Sequence, residues 1–119
     1  MPYMMLIVED PQMRRSRPAE EGRRAYQRMV RFAETLQSRG VLRANESLTT
    51  DAVRVQARDG KRTVVDGPFA ESKEIIGGFF LLDCATKAEA VAIASECPAT
   101  EWATVEVREL GPCWERPTD

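Results

Sequence analysis

The sequence predicts an α+β fold, and three observations carry the prediction. Apolar or alternating runs of strand length recur at residues 3–8, 53–66, 77–83 and 104–109. Two stretches with helical period, ending near Gly40 and Cys97, lie between them. The order is strand, helix, hairpin, strand, helix, strand, which matches no all-α or all-β arrangement.

The first run, YMMLIV, is short and continuously apolar, so it reads as a strand buried on both faces. Glu9, Asp10 and Pro11 end it, and a polar, arginine-rich loop follows. Pro18 suits the first turn of a helix, where a missing N–H costs nothing, and Glu20 and Glu21 complement its dipole. Ala25, Met29, Phe32, Ala33 and Leu36 then fall on one helical face, with Arg24, Arg28 and Arg31 on another. Gly40 closes that helix. Residues 41–48 read as a short extended piece and a loop.

From Ala52 the pattern alternates, and Asp59-Gly60 is a two-residue type I′ turn signal. A two-residue loop sets Arg58 opposite Lys61, Val55 opposite Val64, Arg54 opposite Val65 and Val53 opposite Asp66. Asp66 then shares a face with two valines. GGFFLLD, from Gly77, is the next strand. Thr86 with Glu89 forms a capping box for an alanine-rich helix that Pro98 stops. Val105 and Val107 alternate with Glu106 and Arg108 in a last strand with one wet face.

Taking the hairpin as an elongated second strand region yields a β-α-β-β-α-β frame, the ferredoxin-like split arrangement. Both helices then cover one sheet face. The other is left apolar, and pairing two such faces in a symmetric homodimer removes it from water. Residues 1–110 form a single domain and residues 111–119 a C-terminal tail.

Composition narrows the function classes. A chain of 119 residues with net charge −2 has no overall attraction to nucleic acid, and no apolar run is long enough for a membrane span. The start shows no signal-peptide pattern. Three widely spaced cysteines form neither a disulfide framework nor a zinc motif, so reduced thiols and a cytoplasmic location are expected. Seven arginines crowd residues 14–31, as a solvated helix face or as a surface for an acidic partner. Histidine is absent, which removes the commonest general base and metal ligand. No metal site and no cofactor are expected.

The segment VVDGPFAESKEIIGGFF holds the candidate site. Asp66 is the candidate catalytic acid or base if the inner sheet face desolvates it; otherwise it caps the turn made with Gly67 and Pro68. Glu71, Lys73 and Glu74 can hold a polar ligand or form exposed ion pairs. Gly77 and Gly78 permit close backbone approach. Phe69 belongs to the same ligand-binding set, and Arg54, on the other hairpin face, can reach an anionic ligand.

Long blocks of this chain resemble the YCII-related proteins, in particular the group named for its DGPF motif. They are YMMLIVED, SRGVL, VRVQARDGKRTVVDGPFAESKE, IIGGFFLLDCATKAEAVAIASECP and VEVREL. The resemblance implies a dimeric α+β barrel of ferredoxin-like protomers with a pocket between sheet and helices. Some relatives carry a His–Asp pair with lyase activity of dehydrochlorinase type; without histidine, that pair is not carried over. Other DGPF proteins accompany extracytoplasmic-function sigma factors. The expected function is therefore a homodimeric small-molecule-binding protein, with acid–base turnover of isomerase or lyase type left open. The alternative is a non-enzymatic accessory protein associated with a sigma factor.

Overall fold

The computed structural model describes residues 2–67 and 74–114. Its elements are β1 (Tyr3–Glu9), α1 (Pro11–Ser16), α2 (Ala19–Ser38), β2 (Leu42–Ser47), β3 (Val53–Arg58), β4 (Lys61–Asp66), β5 (Ile75–Leu82), α3 (Lys87–Glu96), a 3-10 turn (Pro98–Glu101) and β6 (Thr104–Glu109). Four strands form one antiparallel sheet in the order β2-β5-β1-β6, and β3 pairs with β4 apart from it. The chain is α+β. Without the β3–β4 hairpin, its sheet order and two helical crossovers are compatible with a ferredoxin-like frame.

The second strand of that frame is β2, not the hairpin, which corrects the sequence reading. The segment LRANES hides because it is an edge strand: Leu42 is half-buried and the next five residues are exposed, so no apolar alternation marks it. The hairpin is an insertion between β2 and β5. Its register is the one expected, from Val53 opposite Asp66 to Arg58 opposite Lys61. Asp59 and Gly60 have φ of 53° and 74°, as a type I′ turn requires.

A second correction concerns the arginine-rich loop, part of which is helix α1. Asp10 caps it by accepting the Gln12 N–H at 2.8 Å, and Pro11 occupies the first turn. The signals that ended β1 thus also begin a helix.

Helix α2 buries Phe32, Ala33 and Leu36 against the sheet. Leu36 is fully buried, and burial of such a side chain contributes about 1.5–3 kcal/mol. At its C-terminus, the Gly40 N–H donates to the Gln37 carbonyl and the Val41 N–H to the Leu36 carbonyl. Gly40 makes this closure possible with φ 74°. Thr86 caps α3 through the Glu89 N–H at 3.2 Å, while the Glu89 carboxylate accepts from the Ala85 N–H rather than from Thr86. The small residues Ala90 and Ala94 bring α3 close to the sheet, with Ile93 buried between them.

The core lies wholly on one sheet face. Tyr3, Met5, Ile7, Phe80 and Leu82 point into it, and Phe32 meets Phe80 edge-on with ring centroids 5.6 Å apart. The opposite face carries Met4, Leu6, Val8, Phe79 and Leu81, each half-buried. Among the described residues no helix is long and apolar enough to cross a membrane.

Candidate functional site

Strand alternation puts Glu9 on the same face as Tyr3, Met5 and Ile7, at the end where the core opens. The partner strand is irregular there. Ile7 pairs with Gly78 and Val8 with Ile76, so Gly77 is the extra residue of a β-bulge. A Cβ on Gly77 would stand 2.5 Å from Glu9 Cδ and 2.6 and 2.8 Å from its two oxygens. The carboxylate therefore occupies space that only glycine leaves. A Cβ on Gly78 would stand 2.9 Å from the Glu46 carbonyl oxygen, so this glycine lets β2 close on β5.

Helix α1 supplies the cation. Arg14 Nη1 donates to the Leu48 carbonyl at 2.6 Å, which anchors the guanidinium, and its Nε lies 3.4 Å from Glu9 Oε2. That oxygen is buried and accepts no hydrogen bond from any described residue. A buried carboxylate oxygen with an ion pair but no hydrogen bond is uncommon in folded proteins.

These groups line a cavity of about 330 Å³ between the sheet and the first half of α2. Gly77, Gly78 and Phe80 belong to its sheet side, Ala25, Tyr26 and Met29 to α2, and Arg17 and Trp102 to its flank. The guanidinium carbons of Arg17 and Arg28 each lie 5.6 Å from the Trp102 ring centroid. Arg28 is also held by both oxygens of Glu101. The hydrogen bonds from Arg28 hold the Glu101 carboxyl below its ordinary value and raise the Arg28 guanidinium in turn.

The sequence-predicted residues separate in space. Gly77 and Gly78 line this cavity. Asp66 does not: it ends the exposed hairpin and borders a shallower concavity of about 440 Å³ with Arg15, Asp51 and Gly67. It shares a hairpin face with Val53, Val55 and Val64 as expected, but that face is exposed because the hairpin leaves the main sheet. Within the single chain Asp66 is exposed on that face. Arg54 is exposed on the opposite hairpin face, and Glu74 is exposed just before β5. Phe69, Glu71 and Lys73 lie outside the described residues.

Glu9, Arg14, Arg17 and Trp102 were not among the expected site residues. One signal for Glu9 was present: it continues the odd-numbered alternation of β1 inward, which a strand read as buried on both faces conceals. Among the described residues no group of three or more Cys, Asp or Glu side chains is placed to hold a metal ion.

Comparison with known proteins gives a family, and the match itself names no reaction. The YCII-related domain matches residues 1–113. An uncharacterized protein of Rhizobium meliloti (strain 1021), R00369, is 42% identical over 64 residues, 52% of each chain. The chain thus aligns with about half the length of that relative.

Proposed function

Because the chain belongs to the YCII-related family, and the match by itself names no reaction, we propose from the cavity that it binds a small polar molecule over Gly77 and Gly78. Glu9 is the proton-transfer group of this reading, in isomerase or lyase chemistry, with Arg14 fixing it and Arg17 orienting an anionic part of the substrate. One observation carries the proposal: Glu9 Oε2 is buried and ion-paired, and among the described residues it accepts no hydrogen bond. Desolvating a carboxylate is costly, and a donor on a bound molecule would complete its shell. Asp66 enters only as a group of the separate concavity at the hairpin base. The working unit is a homodimer, the half-buried face of Met4, Leu6, Phe79 and Leu81 being covered by a second copy. Three free cysteines suit a reducing, cytoplasmic setting.

A thermal-shift screen against short aliphatic and aromatic carboxylates tests the site. Ligands that stabilise the wild-type protein are expected to lose at least about tenfold in affinity, ~1.4 kcal/mol, with Glu9→Gln. A panel that binds the variant equally well removes Glu9 from the site. Static light scattering tests the dimer, and a monomer at micromolar concentration contradicts it.

The second reading, an accessory protein for a sigma factor, draws on Arg24 and Arg31, exposed on α2. Arg28, the third member of that face, is engaged by Glu101 and Trp102. A sigma-factor pulldown that survives Arg24→Glu with Arg31→Glu excludes this surface.

A further inference from the structure

The cavity has a second polar wall, on β2, opposite Glu9. Asn45 pairs with Phe80 and Ser47 with Gly78 across the β2–β5 ladder. Residues paired this way share a sheet face, so both side chains stand on the helix side with Phe80, and both residues line the cavity. Glu46, between them, pairs with Phe79 and points to the other face. Among the described residues neither the Asn45 amide nor the Ser47 hydroxyl has a hydrogen-bond partner. The sheet order puts β5 between β1 and β2. The Glu9 carboxylate fills the space of a Gly77 Cβ and therefore stands over β5 itself. What is left of the gap to β2 is about one strand spacing, ~5 Å, above a residue with no side chain, Gly78. One oxygen atom hydrogen-bonded on both sides at about 2.8 Å spans it. Arg14 holds the two walls together: it pairs with Glu9 and donates to the Leu48 carbonyl just beyond β2. The Leu48 N–H in turn donates to the Gly77 carbonyl at 2.9 Å.

We propose that the cavity takes a small hydroxy carboxylate, whose hydroxyl lies over Gly78 between Glu9 and the pair Ser47 and Asn45, and whose carboxylate meets Arg17. The proposal rests on the cavity reading above and names its substrate class. A carboxylate paired with a guanidinium only accepts hydrogen bonds, whereas the serine hydroxyl and the asparagine amide also donate them. A group that answers both walls offers a proton to Glu9 and a lone pair to β2. A hydroxyl does both; a ketone has no proton to give and an ammonium no lone pair. Charge separates a hydroxy acid from an amino acid as well. On this face the cavity has two guanidiniums, Arg14 and Arg17, against the single carboxylate of Glu9. Among the described residues no carboxylate pairs with Arg17, which lies over Trp102. One carboxylate on the ligand balances that surplus, and the zwitterion of an amino acid leaves it standing.

Size agrees. A cavity of about 330 Å³ stands at the lower limit of the ~300–1,000 Å³ usual for small-molecule sites, which suits an acid of a few carbon atoms. Ile7, Met29 and Phe80 give its carbon chain an apolar side.

Calorimetric titration of the full chain with a matched series of acids tests the assignment. The series is α-hydroxybutyrate and β-hydroxybutyrate against butyrate, α-ketobutyrate and α-aminobutyrate. At least one hydroxy acid is expected to bind about tenfold or more tightly than the other three, because only its hydroxyl satisfies both walls. Asn45→Ala with Ser47→Ala is expected to remove most of that advantage while butyrate affinity stays as in the wild type. The melting temperature should hold, since neither side chain bonds to a described residue. Equal affinity for butyrate and both hydroxy acids, all weakened by Glu9→Gln, overturns the hydroxyl assignment and leaves the Glu9 site standing. Tighter binding of the amino or the keto acid has the same meaning. A double substitution that weakens every acid alike, or none, removes Asn45 and Ser47 as hydroxyl partners and the assignment with them. A series that does not bind, or that binds Glu9→Gln as well as wild type, overturns both readings.

Discussion

Gly78→Ala is expected to lower the unfolding free energy by about 1–3 kcal/mol, the usual range for an overpacked site. The reason is the identity of the atom it meets. The new methyl carbon would lie 2.9 Å from the Glu46 carbonyl oxygen, which is main chain of a paired strand and has no rotamer by which to withdraw. Relief requires β2 to move off β5, weakening an edge strand that buries little of its own. At this chain length each kcal/mol corresponds to roughly 3–6 °C in Tm. Urea denaturation with an unchanged m-value would read the loss directly. A change below about 0.5 kcal/mol would show that β2 adjusts freely and that the glycine is not needed for the pairing.

Gly77→Ala, one residue away, is expected to leave stability within about 1 kcal/mol while costing at least about tenfold in ligand affinity. Here the methyl carbon meets the Glu9 carboxylate at 2.5–2.8 Å, and that group is the far end of a flexible side chain. Glu9 can swing away, but doing so leaves Arg14 and vacates the cavity wall. Glu9→Asp withdraws the carboxylate by one methylene. If the two residues share this space, the double substitution should bind better than the product of the single losses predicts, a coupling that a thermodynamic cycle resolves. Additive losses would mean that Gly77 and Glu9 act independently. The contrast between the adjacent glycines is itself informative: the same added methyl group tests backbone approach at one position and side-chain placement at the next.

Much of the frame was legible because its signals are local. Asp59-Gly60 needs two positive φ values and obtains them from its own residues, so the hairpin register could be written down from the turn alone. Gly40, Thr86 with Glu89, and Pro98 mark helix ends for the same reason: each satisfies or terminates a backbone hydrogen-bond pattern within a few residues. Strand β2 was legible only as a short extended piece, not as the second strand of the frame, because its pairing with β5 comes from the far side of the hairpin and its own side chains are mostly exposed. Helix α1 was missed because residues that end a strand can equally cap a helix.

The site divides along the same line. Gly77 and Gly78 could be singled out by type, since adjacent glycines before an apolar strand imply close approach to something. What approaches could not be read. Glu9 is separated from Gly77 by most of the chain, and only the bulge in β5 opens the space its carboxylate fills. Asp66 stood out because the hairpin register put it beside valines, and that register is correct. Whether the face was dry depended on what lay above it, and the hairpin lies outside the main sheet. By itself the sequence determined turns, caps, strand periods and the register of a hairpin, all set by steric and hydrogen-bond requirements between near neighbours. Only the tertiary structure decided which faces are buried and which carboxylate meets a cation out of water, because burial is a property of distant segments brought together.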